Sequence, residues 1–295
     1  MLHIIVRTFF ATLICFYVVS CTAEKSSVPF EDSLKDAGVS LTSIRDGQHE
    51  SLIVGNGDMY GIVWEKDSGL FMRITKNDIW DARIDVSEDG ELPKVDIANN
   101  IITGEVGGPP SYRKTFPQPR SAVALRLGPV SSGKGFRADL DIEKAFVSIK
   151  PADGQNISIR ILHDRNVLLI NSPHEVILEE IKAETLPDAT IGETDNVSWL
   201  LMKMPGDIDY KGMDYAVAVA SKGNLKAVSL VTSFDIKTGD VLDQAVKLAA
   251  STIGDREKEL ITEHEKAWEK YWSASGVHLE DTVLQRWWYR MLYFA

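Results

Sequence analysis

Residues 60–75 read YGIVWEKDSGLFMRIT, and this stretch decides the fold class. Two runs rich in β-branched and aromatic residues flank a turn formed by Asp67, Ser68 and Gly69. Such runs favour strands, and a short glycine-containing connection between them is typical of a β-hairpin. The stretch therefore predicts two neighbouring antiparallel strands.

Similar runs recur along the chain, each bounded by Gly, Pro, Asn or Asp. Helical segments do not alternate with them, as a parallel doubly wound sheet would require. Many short antiparallel strands bury their apolar faces by packing two sheets together. We therefore predict a mainly β fold, an antiparallel β-sandwich (super-sandwich) over residues 38–238. Its predicted strands are residues 60–64, 70–75, 122–127, 157–162, 167–170, 176–181, 197–202, 215–220 and 227–234.

Helical periodicity replaces this pattern after Gly239. Apolar residues recur at spacings of three and four through residues 241–249 and 260–272, which is the pattern of an amphipathic helix. We predict that residues 239–279 form a helical linker behind the sandwich.

The segment DTVLQRWWYRMLYFA, residues 281–295, predicts one more helix that is apolar almost all round. A helix of this kind requires a partner surface. We expect residues 280–295 to begin a helical domain that continues past Ala295, and to pack little against the sandwich. Four large apolar side chains would then be exposed: Trp287, Trp288, Met291 and Leu292.

The N-terminus has the pattern of an export signal over residues 1–20. Its apolar run is shorter than the roughly 20 residues that a membrane helix needs, and it ends in Val18, Val19, Ser20 and Cys21. This ending resembles a bacterial lipobox, in which the cysteine is acylated. We predict a lipoprotein in the periplasm or on the cell surface, held to the membrane only through Cys21, with residues 21–37 as a polar tether. A plain secretory signal with an incidental cysteine is the alternative.

Composition and motifs exclude several classes of protein. The formal net charge is −11, and no cluster of Lys and Arg offsets it, which argues against a nucleic-acid partner. Cys15 lies inside the signal, so the mature chain keeps only Cys21 and has no disulfide framework. The sequence contains no HExxH pair, no thiolate cluster and no GxSxG elbow. We therefore predict no metal and no cofactor.

One acidic loop partly matches a calcium-binding loop, with Asp85, Ser87, Asp89, Gly90 and Asp96 at the expected spacing. Asp stands where the pattern has its bidentate Glu, and Pro93 interrupts the loop. A solvated polar loop is the preferred interpretation of residues 85–96, and a calcium site is the alternative.

The most informative stretch is GNGDMYGIVW, residues 55–64, followed by LFMRITKNDIWDAR up to Arg83. It resembles the start of the N-terminal super-sandwich of inverting glycoside hydrolases and phosphorylases with an (α/α)6 barrel. The likeness is greatest to the fucosidase-type family 95 and extends to family 65. The matching residues are Asn56, Gly57, Asn77, Asp78 and Trp80, and the segment WEKYWSASGVHLEDTVLQRWWYRMLYFA resembles the linker and first barrel helix of such enzymes.

The resemblance implies a module of an exported glycoside hydrolase that acts on glycans. The catalytic carboxylates of these families lie in the barrel, so none is expected in this chain, which would be inactive alone. Asp58 stands where family 95 commonly has Arg, which leaves the sugar unassigned. The resemblance makes Asn56, Asp58, Asn77, Asp78 and Trp80 candidate substrate-binding residues.

Two alternatives stay open. The Asn56 to Asp58 segment is also what turn chemistry alone requires, because Gly supplies positive φ and the Asn and Asp side chains bond local backbone groups. A carbohydrate-binding or scaffolding surface lipoprotein without catalysis is the second function that fits the sequence.

Overall fold

A computed structural model describes residues 27–84, 117–130, 132–254 and 256–294 of the chain. Strands take up 38% of the chain and helices 21%. The predicted mainly β fold, an antiparallel β-sandwich, is therefore confirmed. The segment predicted to be a polar or calcium-binding loop, residues 85–96, and the predicted signal and lipidation site lie outside the described residues.

The described strands number sixteen, β1 to β16, and every pairing between them is antiparallel. In chain order they are Val39–Leu41, Leu52–Gly55, Met59–Lys66, Gly69–Lys76, Trp80–Asp81, Gln118–Pro119, Val123–Pro129, Arg137–Asp141, Phe146–Lys150, Ile157–Ile161, Val167–Asn171, Ile177–Glu179, Thr190–Thr194, Val197–Met204, Met213–Lys222 and Leu225–Thr232. All nine strands predicted from the sequence are among them.

The strands form two large sheets and a small ribbon. Nine strands make the first sheet in the order β1-β8-β9-β10-β11-β16-β15-β14-β13, and five make the second in the order β12-β7-β4-β3-β2. The ribbon pairs β5 with β6. The hairpin predicted from residues 60–75 is the β3–β4 pair at the centre of the second sheet, with Trp64 opposite Phe71.

The main core lies between the two sheets. In β4, buried Leu70, Met72 and Ile74 alternate with more exposed residues, as period-two geometry requires. They meet fully buried residues of the nine-stranded sheet such as Val147 and Ile159 within one hydrophobic cluster. Burial of each large apolar side chain stabilises the fold by roughly 1.5–3 kcal/mol.

Four helices flank the sheets in the described residues: α1 Glu31–Asp36, α2 Val241–Thr252, α3 Glu257–Ser273 and α4 Thr282–Phe294. The α2 helix covers the outer face of β14 to β16, where Ala216 and Ala218 face Ala245 and Ala249. Small side chains on both surfaces let the helix lie close to the sheet. The Ser229 hydroxyl donates to the Ala245 carbonyl over 2.7 Å, which fixes this contact.

The prediction of a detached tether over residues 21–37 is wrong for its second half. Residues 31–36 form α1, and Leu34 and Ala37 are fully buried in the main core. Asp36 accepts two hydrogen bonds from the guanidinium of Arg286 on α4, over 2.9 and 3.0 Å. Although most residues of this segment are polar, Leu34 and Ala37 are three positions apart and so lie on one face of a helix. Their burial is enough to hold this short helix against the core.

The expectation that the last helix packs little against the sandwich is also wrong. Tyr289 and Tyr293 of α4 belong to the main core, with 0% and 9% of their surface exposed. The Tyr293 hydroxyl donates to the Ile53 carbonyl of β2 over 3.2 Å. Trp287 and Met291 are exposed as expected, at 61% and 58%, whereas Trp288 and Leu292 are partly buried against the core. The helix therefore has one face in the sandwich and one in solvent.

Candidate functional site

The turn between β2 and β3 is closed by the side chain of Asn56. Its Oδ1 accepts hydrogen bonds from the backbone N–H groups of Asp58 (3.0 Å) and Met59 (2.8 Å). Gly57 has a φ of +90°, which glycine adopts far more readily than other residues. The sequence Asn-Gly-Asp is thus accounted for locally by the shape of the turn.

The amide nitrogen of Asn56 links this turn to the other sheet. It donates to the carbonyls of Leu162 (2.9 Å) and Arg165 (3.2 Å) in the β10–β11 connection. Both ends of the Asn56 side chain are therefore hydrogen-bonded inside the protein. This residue is positioned to hold the two sheets together, and no polar atom of its side chain is left unbonded.

Asp58 and Asp78, two more of the predicted residues, converge on a buried lysine. The Lys76 side chain is 5% exposed, and its Nζ lies 2.7 Å from Asp78, 3.0 Å from Asp235 and 3.3 Å from Asp58. Burial opposes the charge on Lys76, but the hydrogen bonds to Asp78 and Asp235 outweigh it, so that the pKa of Lys76 is raised. The three carboxylates are therefore engaged in an ion-pair cluster at the rim of the sandwich.

Sequence reasoning missed Lys76 and Asp235. A signal for Lys76 was present, because it is in phase with the buried Leu70, Met72 and Ile74 of β4 and so points to the interior. The sequence held no comparable signal for Asp235, which reaches the cluster from the end of β16 and also caps its Thr232 N–H over 2.8 Å.

Asn77 and Trp80 complete the predicted group. The Asn77 amide donates to the Gly57 carbonyl over 2.8 Å, and the Trp80 indole donates to the Asn77 carbonyl over 2.9 Å. Trp80 is 42% exposed. The five predicted residues therefore lie together at one end of the sandwich, where the β2–β3 and β4–β5 turns adjoin.

A cavity of about 700 Å³ opens between this end of the sandwich and the helices α3 and α4. Asn56 and Asn77 line it, whereas Asp58, Asp78 and Trp80 do not. The other lining residues were not among the predicted substrate-binding residues, and they are Ile53, Gly55, Gly57, Tyr60, His163, Ala267, Trp268, Tyr271, Leu292, Tyr293 and Phe294.

Aromatic rings dominate the helical wall of the cavity. Trp268 lies 5.4 Å from Tyr271 and 5.4 Å from Tyr293 between ring centroids. Tyr271 is 46% exposed, and on the opposite wall Tyr60 of β3 is 38% exposed. The cavity thus offers ring surface from both the sandwich and the helical layer, and aromatic faces of this kind bind the apolar faces of ligands.

The polar groups of the wall without a hydrogen-bond partner among the described residues include the Tyr60 hydroxyl and the Asn77 Oδ1, and, more deeply buried, the Trp268 Nε1 and the His163 Nδ1. The hydroxyls of Tyr271 and Tyr293 donate to the carbonyls of Leu292 (2.8 Å) and Ile53 (3.2 Å). Burial raises the pKa of Tyr293 far above its usual range, so this phenol stays protonated. The free groups can exchange hydrogen bonds with a ligand that carries hydroxyls.

Two neighbouring histidines lie at the cavity, one in its wall and one buried beneath it. His163 lines it, and the His163 ring centroid is 6.2 Å from that of the buried His264 on α3. His264 donates from Nε2 to the Lys144 carbonyl over 3.0 Å, and burial lowers its pKa to about 4. His264 is therefore neutral at pH 7. Within the described ranges, no group of three or more His, Cys, Asp or Glu side chains is placed to hold a metal ion.

Comparisons with known proteins add no family to this picture. No protein-family model matches the chain, and no curated protein matches it. Of the helices in the described residues, none is both long enough and apolar enough to cross a membrane.

Proposed function

We propose that this chain is the β-sandwich module of an exported glycoside hydrolase and that its cavity binds the glycan. The observation that carries the proposal is the cavity of about 700 Å³ beside the Asn56-Gly57 turn, with Tyr60 and Tyr271 half exposed in its walls. Ligand pockets commonly have volumes of about 300–1,000 Å³, apolar walls and a few polar groups that orient the ligand.

The chemistry of the walls favours a sugar over a wholly apolar ligand. A pyranose presents apolar C–H faces, which pack on aromatic rings, and hydroxyls at its edge, which need hydrogen-bond partners. Tyr60 and Tyr271 supply the rings, and the Tyr60 hydroxyl and Asn77 Oδ1 supply the partners. The resemblance of residues 55–83 to inverting glycoside hydrolases points to the same ligand class.

We assign no catalytic residue to the described part of the chain. Glycoside hydrolysis by these enzymes uses a pair of carboxyl groups that flank the bond to be cleaved. None of the described residues that line the cavity is Asp or Glu, and the nearby Asp58, Asp78 and Asp235 are paired with Lys76. The proposed role is therefore to hold glycan for a catalytic centre in an adjoining helical domain.

The proposal is tested by glycan binding to the purified chain, screened on a glycan array and measured by calorimetry with the oligosaccharides that bind. Tyr60→Ala should weaken binding at least about tenfold, because it removes a stacking ring and a hydrogen-bonding hydroxyl, whereas Tyr60→Phe keeps the ring, loses only the hydroxyl and should weaken binding less. Phe234→Ala, which changes a 62% exposed ring outside the cavity wall, is the matched control. Absence of binding to every glycan on the array would refute the proposal.

A surface glycan binder without catalysis is the second candidate, and it fits a cavity wall whose described residues carry no carboxylate equally well. The two functions differ in whether the gene encodes a helical domain after codon 295. An open reading frame that encodes one supports the module. A stop codon followed by unrelated sequence supports the stand-alone binder.

Export and lipidation are part of the same proposal, because the substrate glycan would lie outside the cytoplasm. Cys21→Ala should move the protein from the membrane fraction to the soluble fraction of cells, whereas Cys15→Ala should not. Unchanged detergent partitioning of the Cys21→Ala protein would contradict lipidation at this residue.

A further inference from the structure

We infer that the cavity is specific for uncharged sugars and discriminates against uronic acids and other anionic glycans. The inference rests on the proposed sugar-binding function and narrows its ligand class. Among the described residues, those that line the cavity include no Lys, Arg, Asp or Glu. Its walls combine aromatic and aliphatic side chains with amides, phenols and one imidazole.

The charged residues next to the sandwich side of the wall are engaged in ion pairs with one another. Asp58 and Asp78, which adjoin the lining residues Gly57 and Asn77 in sequence, both contact Lys76. Asp164, which follows the lining residue His163, accepts a hydrogen bond from Arg165 over 2.8 Å. No cation in these groups is free to bind an anionic ligand, because Lys76 faces three carboxylates and Arg165 is paired with Asp164.

The Lys76 cation, which lies next to the wall, is unavailable to an anionic sugar. The Lys76 side chain is 5% exposed and lies within 3.3 Å of three carboxylates. Approach of a fourth carboxylate would bring it near Asp58, whose side chain is 46% exposed, and like charges repel. On α3, Lys266 and Lys270 flank lining residues, but their side chains do not line the cavity.

A carboxylate that enters this cavity loses hydration without gaining a counter-charge, which makes its binding unfavourable. A neutral hydroxymethyl group at the same position gives up far less hydration. The selectivity therefore has two sources: the site has no counter-charge for a carboxylate, and it has ring surfaces and hydrogen-bonding groups for a neutral sugar. We expect uronic acids to bind at least about tenfold more weakly than their neutral counterparts.

Matched pairs of small glycosides test the inference: methyl galactopyranoside with methyl galactopyranosiduronate, and methyl glucopyranoside with methyl glucopyranosiduronate, titrated by NMR at pH 7. The expected result is binding of a neutral glycoside that is lost in Tyr60→Ala, with its uronide at least tenfold weaker. Equal or tighter binding of a uronide that still depends on Tyr60 would refute the neutral specificity but leave the proposed function intact. No binding of any of the four would count against both.

A charge introduced into the wall provides a second test. Ala267 lines the cavity on α3, so Ala267→Arg places a guanidinium there, and Ala267→Gln is the neutral control of comparable shape. The Arg variant should bind the uronide at least about fivefold more tightly than the wild type, and the Gln variant should not. Unchanged uronide affinity in Ala267→Arg, with neutral binding retained, would show that charge in this cavity does not decide its specificity.

Discussion

Asn56 illustrates how one side chain can serve the fold and the site together. Its Oδ1 closes the β2–β3 turn, and its amide nitrogen binds two carbonyls of the β10–β11 connection. The residue lines the cavity but has its hydrogen-bonding groups occupied, so it shapes the wall without contributing a free polar group. The turn could be predicted from the sequence. The carbonyls that the Asn56 amide binds lie more than 100 residues further along the chain, so this contact could not be predicted.

Asn56→Ala should destabilise the protein by about 2 kcal/mol, because it leaves backbone donors and carbonyls of a half-buried site without partners. Urea unfolding followed by tryptophan fluorescence measures the change. Asn224→Ala removes an exposed side chain with one weak hydrogen bond of 3.4 Å to Gln155 and should have little effect. Equal losses in the two variants would show that the Asn56 bridge does not stabilise the fold.

His264 makes stability depend on pH. Burial, and more weakly the charge of Arg160, hold its folded pKa at about 4, against an ordinary value of 6.5. The unfolded chain therefore binds a proton on this residue at a higher pH than the folded protein does. The contribution of His264 is complete above pH 6.5 and is lost as pH falls towards 4, on the order of 3 kcal/mol in all.

Substitution of His264 by Gln isolates this effect, since a Gln amide can still donate to the Lys144 carbonyl. Between pH 6.5 and 4, the unfolding free energy of the wild type should fall more steeply than that of His264→Gln. Parallel curves for the two proteins over this range would contradict a buried neutral imidazole.

Among the elements, strands with long runs of buried apolar residues were predictable, and most of the missed strands are short or exposed. The β14 to β16 meander carries long runs of buried residues, and its sequence predicted strands. β13, with the sequence TIGET, has no buried residue, so its structure comes from pairing with β14 instead of from an apolar pattern. β1, β2, β8 and β9, which are three to five residues long, were not predicted, whereas the equally short β10 and β11 were, because most of their residues are apolar and buried.

The sequence predicted where the α4 helix lies in the chain but not how it packs. A helix that is apolar almost all round does not indicate which of its faces is buried.

Tyr293→Ala should lower the free energy of unfolding by roughly 3–5 kcal/mol, since it leaves a cavity in the main core. Trp287→Ala on the same helix removes a 61% exposed ring and should change stability by less than about 0.5 kcal/mol. Chemical denaturation of both variants measures the difference. A large loss in the Trp287 variant or a negligible loss in the Tyr293 variant would mean that the opposite face is buried.

For the whole molecule, the sequence predicted the class and the order of its parts but not the cavity. The cavity walls come from the β2–β3 region, from Asn77, from His163 and from residues 267–294, four segments that only the folded chain brings together. The helical spacing had already placed His264 and Trp268 on one face of α3. That spacing could not indicate that this face meets the Asn56-Gly57 turn, since long-range packing between a helix and a sheet leaves no local signal.

The most direct test of the account is a crystal structure of the chain with a neutral oligosaccharide selected from the glycan array. The account predicts a sugar ring in the cavity, packed on Tyr60 or Tyr271, with a hydroxyl in hydrogen-bond contact with Asn77 Oδ1. Sugar ordered only outside the cavity, for example on the exposed face of Trp80, would contradict it.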